Sequence, residues 1–527
     1  MKRAAVAAAL LVLSALPACG GSPPQIIDYS PERGTIDVST AAPIKIAFDH
    51  DVDQSSVASR LSLLPATTGT VVWLSPRQLE YRHVTLQPST TYEVVLQGGY
   101  KDVAGNAYAL RHHWAFTTER APSLVGSTPA NLESDVDLAS YVSIDFTREM
   151  DAATLQNAIS IEPPVPFSVR LDPTDARRAV VAPDSLLDPS TTYSVDVATA
   201  ARDAHGNQLL RDQSFVFHTG IARPLRHWVA FATALPDGSS GGVWIVNESG
   251  FPRQLFDTPS VESFSWSPEG SLVIQAGGSW SAFTPGVGST SLPFKGTWAA
   301  ALAAGLGYVY IDGASTLHRW SADGADEVIA SNVSEAAAAS GGQRVAFVQS
   351  NGSTSTVWGY DVGLRSRYEL ATEAAAVSNL SWSPAGNRIA YLRQDADALA
   401  LRVRNLTGQA ATRTIASGDV GHPTWLPDST HLVFAATLTT ASGAAQKAFL
   451  VSVIAPPAAL TAALAIPSST ALEVVNPVPS PDGHQIAFVS QDQVWMMNAD
   501  GTRPTALTRF DATSFPYACR MPAWTRS

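Results

Sequence analysis

Three aspartates lie close together in the sequence DHDVD, where Asp49, Asp51 and Asp53 occupy alternate positions. Carboxylates at this spacing occur in calcium loops, but an EF-hand loop counted from Asp49 requires Gly at its sixth position and Glu at its twelfth. Those two positions hold Gln54 and Arg60. We therefore interpret the cluster as a solvated strand end and predict no metal site there.

Two further groups of polar residues have types that could hold an ion. DVAGN (102–106) and DAHGN (203–207) place Asp and Asn on either side of a Gly. Asp and Asn commonly hydrogen-bond their own backbone beside a Gly, so we interpret both stretches as turns and leave cation binding open. His112 and His113 are adjacent at a predicted strand. Because successive strand side chains point to opposite faces, this pair is not expected to chelate one ion.

Motifs of the common catalytic classes are missing from the sequence. It contains no H-E-x-x-H, no P-loop and no dinucleotide-binding fingerprint. Serine hydrolases of the α/β class carry their nucleophile in G-x-S-x-G. We expect neither this pentapeptide nor its nucleophile, because no segment remains for an α/β domain once the repeats below are assigned. We predict no catalytic residue, no cofactor and no metal.

The N-terminus has the composition of an export signal. The sequence MKRAAVAAALLVLSALPACGGS combines a positive start, an apolar run and small residues. The apolar run, residues 4–16, is shorter than the roughly 20 residues that span a bilayer. LPAC at 16–19 resembles the bacterial lipobox, which implies cleavage before Cys19 and acylation of that residue. We therefore predict a lipoprotein signal peptide over 1–18 and a lipidated linker over 19–25, with a plain signal peptide as the alternative.

Lipidation predicts a position at the cell envelope. Several acyl chains on one cysteine anchor a protein stably, whereas a single chain is marginal. Gly20 rather than Asp follows Cys19, and the resemblance to sorted lipoproteins implies the outer membrane, with its periplasmic or surface face left open. Cys519 then has no intramolecular partner, and we predict a small buried thiol, with a reactive nucleophile as the alternative.

A repeat of about 100 residues follows the linker. STTYEVVLQGGYKDVAGN (89–106) matches STTYSVDVATAARDAHGN (190–207), and WAFTT (114–118) matches FVFHT (215–219), both at an offset of 101 residues. Each copy alternates apolar and polar residues in short runs between turn signals. This pattern is typical of a seven-stranded β-sandwich.

Both copies resemble the bacterial Ig-like domain of the SbsA type. The shared elements are LxPSTTY, DxxGN, a closing F-x-T, an opening proline (Pro31, Pro129) and a strand end (Phe48 to Asp53, Phe146 to Asp151). The resemblance implies Ig-like domains over 26–119 and 121–220. Such domains serve as spacers and as adhesive modules, so they do not define a function.

From residue 221 the repeat changes in length and pattern. FSWSPEGSLVIQA (264–276), LSWSPAGNRIAYLR (380–393) and PVPSPDGHQIAFVS (477–490) each predict a hairpin around a tight turn. The predicted strand centres that follow such turns are Val229, Val273, Tyr308, Val345, Ile389, Leu432 and Ile486. Their spacings of 35 to 54 residues are those of four-stranded propeller blades.

Tryptophans and the C-terminus support a closed ring. Trp266, Trp382 and Trp425 precede three of the turns, and we predict that their indoles wedge between neighbouring sheets, with ligand stacking as the alternative. The C-terminal MPAW, ending at Trp524, is predicted to complete the first blade.

The stretch SPDGHQIAFVSQDQVWMMNADG (480–501) resembles the blade of the TolB-like propeller family, which implies a β-propeller over 221–527. The predicted fold class is all-β, with two tandem Ig-like sandwiches followed by a propeller of seven blades, six being the alternative count.

The formal charge of −12, with no basic stripe, predicts an acidic protein without a nucleic-acid partner. We predict a monomeric, non-enzymatic envelope lipoprotein with an Ig-like stalk. Its propeller would bind an envelope protein or a glycan on the face where blade loops converge. One alternative is a lipid-anchored hydrolase or lyase with an active site in the propeller channel. Another is an adhesin that binds through its Ig-like pair. Inward-facing clusters of acidic or His side chains would favour the enzyme.

Overall fold

The computed structural model describes residues 21–407, 411–440, 443–457, 459–461, 465–466, 472–510 and 517–526. The prediction of an all-β chain is confirmed, since strands dominate and the two helices are short. Among these residues no helix has the length and apolar character needed to cross a membrane. The predicted signal peptide and Cys19 lie outside the described residues and stay predictions.

The first sandwich packs a four-stranded sheet against a three-stranded sheet. Its elements are β1 (Ile26–Ser30), β2 (Ile44–Phe48), α1 (Gln54–Ala58), β3 (Leu61–Leu64), β4 (Gly69–Ser75), β5 (Gln78–His83), β6 (Thr91–Leu96), β7 (Tyr100–Lys101), β8 (Ala107–Tyr108) and β9 (His112–Thr117). The sheet orders are β1-β2-β5-β4 and β3-β6-β9, with β7 and β8 as a small hairpin. Alternation along β2 sends Ile44, Ile46 and Phe48 into the core between the sheets.

The second sandwich repeats this plan with two four-stranded sheets. Its elements are β10 (Leu124–Thr128), β11 (Glu133–Val136), β12 (Val142–Phe146), α2 (Ala152–Ala158), β13 (Ile159–Glu162), β14 (Phe167–Asp172), β15 (Asp175–Pro183), β16 (Thr192–Val197) and β17 (Gln213–Thr219). The orders are β10-β12-β15-β14 and β11-β17-β16-β13, and β11 pairs parallel to β17.

The remaining strands form seven sheets, each of which we call a blade. The first blade contains β18 (Val229–Ala234), β19 (Val243–Val246), β20 (Arg253–Phe256) and the C-terminal strand β44 (Ala518–Trp524). The second to fourth blades contain β21 (Val261–Trp266), β22 (Leu272–Ala276), β23 (Ser279–Thr284), β24 (Gly288–Ser291); β25 (Trp298–Ala301), β26 (Tyr308–Ile311), β27 (Leu317–Trp320), β28 (Asp326–Ala330); and β29 (Val333–Ala338), β30 (Arg344–Asn351), β31 (Thr354–Asp361), β32 (Ser366–Glu373). The fifth to seventh blades contain β33 (Val377–Trp382), β34 (Arg388–Gln394), β35 (Leu399–Asn405), β36 (Thr412–Gly418); β37 (Thr424–Trp425), β38 (His431–Thr440), β39 (Gly443–Ser452); and β40 (Val475–Pro479), β41 (Gln485–Ser490), β42 (Gln493–Asn498), β43 (Thr505–Ala506).

The sheets follow one another in a closed ring. The innermost strands are β44, β21, β25, β29, β33, β37 and β40, and each blade contacts the next through them or their neighbours. The predicted strand centres all lie in the second strand of a blade. The ring closes because β44 pairs antiparallel with β18, placing Trp524 opposite Val229 and Cys519 opposite Thr233. The predicted role of the C-terminal strand is therefore confirmed.

Four indoles join neighbouring blades by a repeated hydrogen bond. In each case Nε1 donates to a backbone carbonyl on the innermost strand of the preceding blade, at 3.0–3.3 Å: Trp266 to Ala523, Trp382 to Ala337, Trp425 to Ser381 and Trp524 to Val478. Trp266, Trp382 and Trp425 are also almost fully buried. These tryptophans therefore hold blades together, as predicted.

A buried carboxylate joins the two sandwiches. Glu119, in the connection between them, is 1% exposed and accepts hydrogen bonds from the Thr40 backbone N–H at 3.1 Å and from Asn207 Nδ2 at 3.0 Å. His205 Nδ1 lies 2.8 Å from its Oε1, and Arg148 forms an ion pair with it. Burial alone would raise the pKa of Glu119. The donors and the Arg148 charge outweigh this effect, so the net pKa is lowered.

We expect Glu119→Gln to lower the free energy of unfolding by about 2 kcal/mol at pH 7, because it removes one ion pair of Arg148 and the charged acceptor of several buried hydrogen bonds. A carboxyl with a depressed native pKa stabilises the fold above its unfolded pKa, and this contribution is lost as pH falls through the native pKa. The difference between wild type and variant should therefore shrink in acid. Urea unfolding at several pH values measures it. A difference that is the same at pH 7 and in acid would contradict the assignment.

Cys519 is a buried thiol, as predicted, with 3% of its surface exposed. Burial raises its pKa to about 12. Because the thiolate is the reactive form, we expect a Cys19→Ser chain to react with a thiol reagent at least about a hundredfold more slowly when native than when unfolded. Absorbance at pH 8 with an aromatic disulfide reagent follows this reaction, and the guanidinium-unfolded chain provides the reference rate. Equal rates for the native and the unfolded chain would show that the Cys519 thiol is accessible in the native protein.

Candidate binding site at the mouth of the propeller channel

The aspartates of DHDVD face three different partners. Asp53 is the N-cap of α1, and hydrogen bonds from the Ser55 hydroxyl and from the backbone N–H groups of Ser56 and Ser55 hold its pKa below the ordinary value. Asp51 pairs with Arg77 at 2.7 Å. Asp49 accepts the Gln25 N–H at 2.8 Å. The strand end predicted from sequence is therefore also a helix start, and Asp151 caps α2 in the same way.

Both D-x-x-G-N stretches form turns that satisfy their own polar groups. In the first, Asp102 accepts the Asn106 backbone N–H at 2.7 Å and its Nδ2 at 2.6 Å. In the second, Asp203 accepts the same two groups of Asn207, both at 2.8 Å. The glycines of the two turns, Gly105 and Gly206, adopt positive φ of +92° and +87°, a conformation that favours Gly. The turn interpretation is therefore sufficient for these residues.

A G-x-S-x-G pentapeptide does occur, contrary to the sequence expectation. It is GSSGG at 238–242, within the connection from β18 to β19. Its central Ser240 is 5% exposed and accepts the Gly242 backbone N–H at 3.0 Å. A nucleophile elbow joins a strand to a helix, whereas this segment joins two antiparallel strands. The pentapeptide is therefore a hairpin turn.

Seven residues occupy equivalent positions in the seven blades, in or just before the innermost strands. Each lies three positions before the residue that occupies the tryptophan position of its blade. They are Ser263, Trp298, Glu335, Asn379, His422, Asn476 and Met521, and we call them the channel mouth. Three of them, Asn379, Asn476 and Met521, adopt positive φ of +49° to +56°. Strand register shifts accompany these residues, so bulges shape the channel mouth.

Glu335 holds the neighbouring bulge in place. Its carboxylate accepts the backbone N–H groups of Asn379 and Leu380, at 2.9 and 2.7 Å. These donors belong to the next blade, so the contact links two blades across a β-bulge. With both carboxylate oxygens engaged by backbone, Glu335 positions Asn379.

His422 is a titratable and exposed residue of the channel mouth. Its Nδ1 lies 3.0 Å from Oδ1 of Asn379, which places the proton on Nδ1 and leaves Nε2 as an acceptor. The side chain is exposed, yet the surrounding walls desolvate it and lower its pKa. His422 is therefore neutral at pH 7 and offers a lone pair to a hydroxyl, amide or ammonium donor.

The channel mouth opens away from the second sandwich. The second sandwich contacts one face of the propeller. On this face lie the turns that join the first strand of each blade to the second, and the third strand to the fourth. Tyr141 Oη bonds Asn247 in one such turn at 3.1 Å, and a side chain at Gly286, in another, would overlap Leu138. Because turns alternate between the two ends of antiparallel strands, the start of each innermost strand lies at the opposite face. That face is free of the sandwich.

A metal site needs several ligating side chains close together. In the described ranges no three His, Cys, Asp or Glu side chains come together as a metal site. The channel mouth has one carboxylate and one imidazole, joined through Asn379. This is fewer than the clustered groups that would favour channel chemistry.

Comparison with known families assigns the two N-terminal sandwiches. The family model of the bacterial Ig-like domain matches residues 21–118 and 119–219. The two sandwiches are bacterial Ig-like domains. Their shared STTY and F-x-T motifs serve the fold. The Ig-like tyrosines Tyr92 and Tyr193 each accept a backbone N–H five residues upstream, at 3.0 and 2.9 Å.

Several solved structures are similar to the chain, and TolB-like propellers are among them. TolB from Acinetobacter baumannii is 12% identical, with 72% of this chain and 86% of that chain covered at a TM-score of 0.36. A putative TolB from Agrobacterium tumefaciens is 12% identical, with 56% and 97% covered at a TM-score of 0.32. An oligogalacturonate lyase from Vibrio parahaemolyticus is 10% identical, with 55% and 87% covered at 0.38. Comparison with curated proteins gives no match.

Proposed function

We propose that the protein is a non-enzymatic lipoprotein of the cell envelope in which the Ig-like domains carry a propeller that binds a protein or a glycan at its channel mouth. The observation that supports this proposal most is the free face. The second Ig-like domain is docked on one end of the propeller, and the channel mouth opens at the other. A ligand therefore has access from the side away from the stalk.

The chemistry of the channel mouth suits binding by hydrogen bonds. Asn476 is exposed and offers both a donor and an acceptor. Neutral His422 adds an acceptor, and half-buried Trp298 adds an apolar face. Amide side chains beside the face of an aromatic ring are common contacts for hydroxyl-rich or peptide ligands.

The binding role is preferred to an enzyme because the carboxylate and imidazole do not form an acid–base pair. Glu335 is engaged by two backbone N–H groups, and His422 contacts an amide. A hydrolase or lyase that works with two titratable groups would require a free acid beside the free base.

Site-specific photocrosslinking tests the proposal. A photoreactive residue at position 476 samples the channel mouth, and one at position 364 is a matched control, because Leu364 is 78% exposed in a turn on the opposite face. In whole cells we expect a discrete adduct from position 476, none from 364, and a weaker adduct when His422→Ala is added. Equal adducts from both positions would refute a binding role for the mouth. An adduct only from probes in the Ig-like pair would favour the adhesin.

The lipid anchor is tested separately. We expect radiolabelled palmitate to enter the wild-type protein and not Cys19→Ser, and the variant to leave the membrane fraction, because the acyl chains supply the membrane affinity. Fractionation followed by immunoblotting measures both. Membrane retention of an unlabelled Cys19→Ser chain would show a different anchor.

A further inference from the structure

A second cavity lies outside the channel, between the second Ig-like domain and the propeller. We call it the interdomain cleft, and its volume is about 1180 Å³. Its walls come from β12, β14 and β15 of the Ig-like domain, the connection at 223–228, the turn between β19 and β20, and the segment around β43. Clefts at domain interfaces are a common position for ligand sites.

Fixed contacts hold the two walls together. Tyr141 Oη donates to Asn247 Oδ1 at 3.1 Å and accepts the Ser249 hydroxyl at 2.6 Å. Arg253, fully buried, donates from Nη2 to the Ser140 carbonyl at 2.7 Å and lies 4.4 Å from the Tyr141 ring centroid. The interdomain cleft is therefore a formed cavity with a packed joint.

The residues that line the interdomain cleft are mainly basic, whereas the whole chain is acidic. The whole protein has 46 acidic and 34 basic residues. The cleft is lined by five arginines, Arg170, Arg178, Arg223, Arg226 and Arg509, against three carboxylates. Arg178 and Arg223 pair with aspartates outside the lining, at 2.7 Å each. The side chains of Arg226 and Arg509 make no hydrogen bond or ion pair with any described residue.

The carboxylates of the lining already have donors. Asp137 accepts the Ala139 N–H at 2.7 Å, and Asp172 accepts the Thr174 N–H at 2.8 Å. Glu248 accepts Gln485 Nε2 at 2.5 Å. No ion pair joins them to the arginines of the cleft within the described residues. The charges of Arg170, Arg226 and Arg509 therefore remain available to an external anion.

Two of these arginines approach each other from different domains. Arg170, on β14, stacks on Phe251 with its Cζ 3.2 Å from the ring centroid and donates to the Ser249 carbonyl at 2.9 Å. These contacts fix its guanidinium. Burial lowers the pKa of Arg170, and the charge of Arg509, on the propeller, lowers it further. Two like charges thus line one cleft and repel each other, an arrangement that an anion would relieve.

We propose that Arg170 and Arg509 form a binding site for an oxyanion group, carboxylate or phosphate, of a ligand held in the interdomain cleft. Guanidinium groups bind both oxyanions with paired N–H donors. The ligand contacts both domains and so stabilises their joint. This site is distinct from the channel mouth and stands without the function proposed there.

Titration calorimetry on the full chain without residues 1–18 tests the site with three probes: inorganic phosphate, a short galacturonate oligomer and a neutral glucose oligomer of equal length. We expect an anionic probe to bind, the neutral one not to bind, and the affinity to fall with added salt. Arg509→Gln should weaken binding by about tenfold or more, whereas Arg503→Gln and Arg211→Gln, exposed arginines outside the cleft, should not. Binding of phosphate alone would identify a phosphate ligand, and binding of the oligomer alone a carboxylate ligand.

A second variant makes the test independent of the probe. Arg509→Glu places a carboxylate beside Arg170, so we expect it to raise the melting temperature and to abolish anion binding. Failure of all three probes to bind the wild type would overturn the proposal. Equal binding by wild type and Arg509→Gln, or a lower melting temperature for Arg509→Glu, would also overturn it.

Discussion

A chain that ends at Tyr517 is expected to lose cooperative unfolding of its propeller while its two Ig-like domains still fold. β44 pairs with β18 at five positions, and its removal opens one edge of the first blade. It also removes Cys519 from the core between the first and last blades, and it removes the carbonyl of Ala523 that accepts the Trp266 indole. At about 1 kcal/mol for each lost hydrogen bond, plus the exposed apolar surface, the loss is about 5 kcal/mol or more. That is comparable with the whole stability of a typical domain.

Urea unfolding followed by circular dichroism and by limited proteolysis measures this effect. The truncated chain should yield a protease-resistant fragment that ends near residue 220, whereas the full chain should resist cleavage throughout. Arg520→Ala is the matched control, because Arg520 is an exposed residue on the same strand. That variant should change the free energy of unfolding by less than about 0.5 kcal/mol. A truncated propeller that still unfolds in one transition would show that the ring is stable without its closing strand.

The second large effect is expected at the indoles between blades. Trp382 is 7% exposed and donates to the Ala337 carbonyl at 3.1 Å. We expect Trp382→Ala to cost about 3–5 kcal/mol of unfolding free energy, since it leaves a large cavity between two blades. Trp382→Phe keeps most of the packing and removes the donor, so it should cost about 1–2 kcal/mol.

The pair of variants separates packing from hydrogen bonding, and urea unfolding reports both. Position 338 provides an internal comparison, because the fourth blade has Ala where four other blades have Trp, and that blade forms without an indole. If Trp382→Ala cost less than about 1 kcal/mol, the indole could not be a major contact between blades.

The architecture could be predicted from local patterns. The offset of 101 residues between the STTY stretches and the turns before each blade centre are short-range signals, and strand pairing follows them closely. The helices α1 and α2 were missed because they span only five and seven residues. An Asp followed by a short polar run is an N-cap signal that could have indicated them.

The channel mouth could not be recognised as a motif. Glu335, Asn379 and His422 are 44 and 43 residues apart and share no side-chain type. They are related by blade geometry: counting back three positions from Trp-x-Pro would have found Asn379 and His422, whereas the blade of Glu335 has Ala338 in place of Trp. The cleft arginines had no such signal, because Arg170 and Arg509 meet only after the second Ig-like domain docks on the last blade.

Ring closure also sets the order in which the chain can mature. Trp228 donates a hydrogen bond to Thr525, a residue 297 positions later in the sequence. A chain that emerges from its N-terminus completes the Ig-like domains early, but its first blade waits for the final residues. Until then, apolar blade faces are exposed at high local concentration, and non-local contacts of this kind form slowly. The incomplete propeller therefore keeps an unpaired strand edge on its first blade, and this edge is covered only when β44 pairs with β18.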